Sequence, residues 1–98
     1  MRQITREAIW AFRYGKTFKK GNTSVEISEG GTHTLKLHGN TIAQYSNRGE
    51  LWVTTSGWNT PTTKERLNGI HGVDIIQKNF EWFLNGKPWD GLPIRVEY

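Results

Sequence analysis

Cysteine is absent from the chain, which excludes disulfides, thiolate nucleophiles and every zinc site built on cysteine. No apolar run approaches the ~20 residues that span a bilayer, and the N-terminus lacks a secretory apolar segment. The expected setting is therefore a reducing cytoplasm, away from membranes. Phosphate-loop spacings are missing too: the 11 glycines form neither G-x-x-x-x-G-K nor G-x-G-x-x-G and read as turn residues. Glu26, Glu29, Glu50, Glu65, Asp74 and Glu81 are scattered one per predicted element; no D-x-D occurs, and the Glu26–Glu29 spacing runs from a strand into a turn rather than forming the carboxylate cluster that metal-assisted nuclease chemistry needs. His33, His38 and His71 match no metal-ligand spacing. Neither a metal nor a cofactor is expected.

What the chain does have is aromatic bulk and an uneven charge. Five Trp and four Phe in 98 residues can build a core with few Leu and Val, because each ring buries a large area. The length suits a single compact domain over residues 1–98. The net charge is +4, but its distribution matters more. Arg2, Arg6, Arg13, Lys16, Lys19 and Lys20 face only Glu7 within the first twenty residues, whereas the remainder is nearly balanced.

The periodicity predicts a helix over residues 5–20. Thr5 is its N-cap, Ile4 and Ile9 staple across that cap, Gly15 is a weak point and Gly21 is the stop. On a wheel of ~100° per residue, Arg2, Arg6, Arg13, Lys16 and Lys20 share a narrow arc, while Trp10, Tyr14, Phe18, Ala11, Ala8 and Phe12 fill the opposite side. After residue 21 the period becomes two. Strands are predicted over residues 24–28, 34–38, 41–45, 51–55, 73–77 and 80–84, with hairpin turns at Gly39-Asn40 and Asn85-Gly86. Ile94, Val96 and Tyr98 alternate as a further edge strand. A short second helix opens at Thr60-Pro61, or in a competing register at Thr62 with Glu65 as its capping-box partner, and it ends at Asn68-Gly69. The fold class is α+β: an N-terminal amphipathic helix, an antiparallel sheet of about five to six strands built from hairpins, and one short helix between strands.

Three surfaces emerge as candidates. Basic side chains aligned on one helix face match the footprint of a phosphate-backbone binder, and an acidic protein surface offers the same charge. Arg6, Arg13, Lys16, Lys19 and Lys20 carry that reading. The Thr-rich approach to the second helix, with Lys64 and Arg66 on its first turns, is a second cationic patch. A polar group of His38, Lys36 and Thr62 is the third. His38 with Lys64 or Arg66 could perform acid–base work beside a phosphate, making a small hydrolase or nuclease. A simpler role for His38 is to anchor a tight turn.

Gly21-Asn22-Thr23, residues 35–40 (Leu-Lys-Leu-His-Gly-Asn), Ile42-Ala43, Gly57-Trp58, Thr60, Thr62-Thr63-Lys64, Arg66-Leu67-Asn68, Ile76-Gln77-Lys78 and Trp82 together resemble a pattern of small tailed-bacteriophage proteins without an assigned activity. The resemblance spans residues from about 22 to 89. It implies a phage genome and expression in the cytoplasm of an infected bacterium, and it carries over no catalytic residue. The expected function is a non-enzymatic accessory module acting on nucleic acid, or on a host nucleoprotein or defence complex, through the basic N-terminal helix. The alternatives are the His38 hydrolase and a virion or scaffold component that self-associates, for instance as a dimer.

Overall fold

The computed structural model describes residues 1–97. Helix α1 (Gln3–Tyr14) is followed by strands β1 (Phe18–Lys20), β2 (Thr23–Ile27), β3 (His33–Leu37), β4 (Asn40–Tyr45) and β5 (Leu51–Val53). Helix α2 (Pro61–Leu67) then leads to β6 (Ile75–Lys78), β7 (Glu81–Leu84), β8 (Lys87–Pro88) and β9 (Ile94–Val96). The α+β expectation holds: a six-stranded antiparallel sheet runs β1-β2-β3-β4-β5-β9, and a three-stranded sheet runs β6-β7-β8. Tyr98, assigned from sequence to the last strand, lies outside the described residues; Ile94 and Val96 do form that edge strand.

The large sheet is two-sided, as its alternating sequence requires. Val25, Leu35, Ala43 and Val53 are paired across successive strands and all are buried. The intervening row of Glu26, Thr34, Gln44, Trp52 and Arg95 faces outward. A register shift at Leu35/Lys36 sets an extra residue on β4, so Ile42 and Ala43 are both buried although they are adjacent. Helix α1 packs against β1, β2 and β3, and α2 packs against β4, β6 and α1. The helices meet closely at Gly69, where an added Cβ would come within 2.9 Å of Ile9 and 3.0 Å of Thr5.

The first helix departs most from expectation. It ends at Tyr14, because Gly15 adopts the left-handed conformation (φ 72°, ψ 39°) and its N–H donates to the Ala11 carbonyl. The Lys16 N–H turns back to the same carbonyl at 2.9 Å. Residues 18–20 then pair with 23–25 as an edge strand, and Gly21 sits in the hairpin turn that follows. At the other end Arg2, not Thr5, is the N-cap, without a side-chain cap bond, so no staple between Ile4 and Ile9 forms across residue 5. Thr5 is buried one turn further in.

Other boundaries shift for local reasons. Leu37 pairs with Asn40, so His38 and Gly39 (φ 52° and 80°) are the central turn residues and Asn40 begins β4. Thr60 caps α2 by accepting from the Thr63 N–H at 3.2 Å, with Pro61 in the first turn; the Thr62–Glu65 capping box does not form. Asn85-Gly86 is the expected turn, with φ of 50° and 86°. Phe80, assigned to a strand from sequence, lies instead in the β6–β7 turn with Asn79, at φ 66° and 97% exposed.

Candidate functional site

Ending α1 at Tyr14 changes which residues share its outer face. The buried stripe is Thr5, Ala8, Ala11 and Phe12. Arg2, Arg6, Trp10, Arg13 and Tyr14 all lie on the exposed side. Trp10 and Tyr14, 57% and 58% exposed, are one helical turn apart with ring centroids at 5.4 Å. The Arg13 guanidinium sits 5.7 Å from the Tyr14 ring centroid, and Arg6 Nη1 donates to the Met1 carbonyl at 3.0 Å. Glu7 is the one carboxylate of α1, and it is paired with Lys20 at 3.4 Å. The expected basic stripe is thus shorter than a sixteen-residue helix would give, and it is interleaved with aromatics rather than opposed to them. The wheel misplaced Trp10 and Tyr14 because Phe18, actually a strand residue, pulled the apolar arc toward them.

The other cations separate. Lys16 follows the helix stop, while Lys19 and Lys20 are exposed on β1. Lys36, on β3, is held 3.1 Å from Glu26. Lys64 is half-buried on α2. Arg66, expected on the cationic surface, is only 1% exposed and is the largest fully buried side chain. Its Nε donates to Thr23 Oγ1 at 3.1 Å and its Nη1 to Thr5 Oγ1 at 2.8 Å. The same Nη1 pairs with Glu65 Oε1, and Thr5 Oγ1 donates to that carboxylate. Arg66 therefore binds α1, β2 and α2 together. Enclosed, with Nε and Nη1 bonded inside the protein, it does not lie on the cationic surface expected of it. Among the described residues, no buried side-chain polar atom lacks a hydrogen-bond partner.

Glu65 is the acidic half of this cluster. Burial pushes its carboxyl up, but hydrogen bonds from Thr5, the Arg2 backbone N–H and Arg66 outweigh that and hold it below the ordinary carboxylate range. A depressed folded-state pKa contributes stability that is complete above the unfolded value of about 4.3 and is lost as pH falls through the folded value. In an acid titration followed by circular dichroism, stability should decline from about pH 4.3 downward. Glu65→Gln should be less stable at neutral pH and show a shallower acid limb, whereas identical limbs would contradict the assignment.

The histidines do not converge. His33 Nδ1–H donates to the Phe12 carbonyl at 2.6 Å, closing the C-terminal end of α1, and its ring lies edge-on to Tyr45. His71 is exposed in the turn before β6. His38, with its ring exposed in the β3–β4 turn, borders a recess that Thr62 also lines, and on its other side a groove that Lys36 lines. The expected polar group of His38, Lys36 and Thr62 is thus split between two neighbouring surfaces that share His38. Among the described residues, no group of three or more His, Cys, Asp or Glu is placed to hold a metal ion. Nor, among the described residues, is any helix long and apolar enough to cross a membrane.

Fold and surface together define a small, basic α+β protein organised around a buried arginine, with an arginine–aromatic helix on its exterior. The chain belongs to the Kyanoviridae Gp96 protein family, a family of cyanophage proteins, whose profile matches residues 1–96. The match takes in α1 as well as the central pattern. No curated protein and no solved structure matches the chain.

Proposed function

We propose that this phage protein is a nucleic-acid-binding accessory module acting in the cytoplasm of the infected host, with the outer face of α1 as its contact surface. The observation that carries the reading is the alignment of Arg2, Arg6 and Arg13 with exposed Trp10 and Tyr14 on a face without a free carboxylate. Arginine supplies phosphate contacts and planar stacking, and exposed indole and phenol rings offer platforms to unpaired bases. The net charge of +4 assists encounter with a polyanion. Single strands suit the surface better than duplex, because both aromatic rings can engage only bases that are not already stacked.

Fluorescence anisotropy of a labelled single-stranded oligonucleotide tests the proposal. Wild-type protein should bind at low salt. Trp10→Ala should bind about tenfold more weakly through lost stacking while keeping the same salt dependence, since no charge is removed. Absence of strand binding, with capture of an acidic protein instead, would sink the nucleic-acid version.

A further inference from the structure

Turns and caps do not account for the whole of residues 35–68. Residues 37–42 and 55–63 face each other across a recess of about 400 Å³, within the size range of small-ligand sites. Buried Leu37 and Ile42 form its base, and Trp58, 59% exposed, stands at its edge. Thr60 and Thr63 hydroxyls lie 3.0 Å apart at the α2 cap, and Thr55 Oγ1 reaches the Gly91 carbonyl at 3.4 Å. The His38 imidazole, Asn40 amide, Thr62 hydroxyl and Trp58 indole N–H have no hydrogen-bond partner among the described residues.

No carboxylate, lysine or arginine lines this recess. A charged group placed there would lose hydration without a counter-ion. Helix α2, with seven residues, adds no anion site of its own. An apolar base, an indole and a few neutral donors and acceptors suit a flat, uncharged heterocycle that stacks by its face and bonds by its edge. Beyond His38 lies a groove of about 540 Å³ lined by Lys19, Lys36, Asn22 and Ser24. Lys36 is paired with Glu26 there, whereas Lys19 has no carboxylate partner among the described residues, so the groove keeps a positive excess.

We infer that the recess takes one unpaired nucleobase, its phosphate directed past His38 toward Lys19 and Lys36. The inference rests on the nucleic-acid reading for its ligand class but uses a different surface. A base can arrive as a free nucleotide or as part of a strand. Indole N–H signals in two-dimensional NMR distinguish these cases, because Trp10 reports on α1 and Trp58 on the recess. The probes are adenosine, its monophosphate, and a single-stranded oligonucleotide of about six nucleotides. The Trp58 signal should move with the oligonucleotide. Movement with the monophosphate as well assigns free nucleotide as a sufficient ligand, and movement with the oligonucleotide alone assigns a strand.

Trp58→Ala should weaken binding at the recess about tenfold. His38→Asn, a residue that tolerates the φ of 52° at that turn, should lessen the Trp58 response. Lys19→Ala should weaken monophosphate and leave adenosine unchanged. A Trp58 signal that stays still with every probe overturns the inference. A Trp10 response in those same spectra would leave the α1 proposal standing. Conversely, a Trp58 response with Trp10 silent keeps the recess and removes α1.

Discussion

Replacing Arg66 with alanine should lower the stability of this protein by about 3–5 kcal/mol, the range for removing one partner of a buried ion pair. The guanidinium is enclosed at 1% exposure, and its loss leaves the Thr5 and Thr23 hydroxyls and the Glu65 carboxylate without a donor they now use. It also vacates the largest fully buried side chain, adding a cavity term of the same sign. Against a total of roughly 5–15 kcal/mol for a natural domain, that loss is a large share. For a chain of this length each kcal/mol shifts the melting temperature by about 4–8 °C, so a fall on the order of 20 °C is expected. Arg66→Lys should recover only part of it. An ammonium keeps the charge but cannot place separate donors on Thr23 and on Thr5 with Glu65. Thermal unfolding followed by circular dichroism measures both. An Arg66→Ala protein melting within a few degrees of wild type would show that the cluster is not what joins the two helices to the sheet.

The second large effect concerns binding. Double charge reversal, Arg6→Glu with Arg13→Glu, should reduce single-strand affinity by on the order of 10²-fold or more. Each phosphate contact on a single strand contributes a salt exponent of about 0.7, equivalent to roughly fivefold at 0.1 M salt. Removing two such contacts costs about 25-fold, and the reversed charges add repulsion. Both residues are exposed and outside the Arg66 cluster, so melting temperature should change little. A variant that unfolds normally and binds normally would remove α1 from the mechanism.

How much of this was legible in the sequence follows from where each signal is local. Thr60-Pro61 and Asn85-Gly86 are self-contained turn and cap chemistries, and both appear as expected. Leu35 and Leu37 alternate with Thr34 and Lys36, and that alternation set the inner face of β3 correctly. The local pattern reads residues 16–20 as the end of the helix, wrongly, because their conformation is decided by a non-local partner: strand β1 exists by pairing with β2. Gly15 reads only as a weak point within the helix, and it is instead the left-handed stop. Once the helix is cut there, Trp10 and Tyr14 move to the arginine side.

Arg66 was illegible for a deeper reason. Thr5 and Thr23 are far from Arg66 in sequence, only Glu65 adjoins it, and nothing in the local pattern around Arg66 marks it as enclosed. A cationic side chain on a short helix reads as surface unless the tertiary arrangement is known. The same holds for the recess beside Trp58, whose two walls come from β3–β4 and from the segment entering α2.

The central claim is that a phosphate backbone lies along α1, and the salt dependence of single-strand affinity tests it most directly. With Arg2, Arg6 and Arg13 engaged, a plot of log K against log salt concentration should fall with a slope of about −2. The Arg6→Glu, Arg13→Glu protein should lose most of that slope. A wild-type slope near zero, or a slope that the double reversal leaves unchanged, would contradict the account.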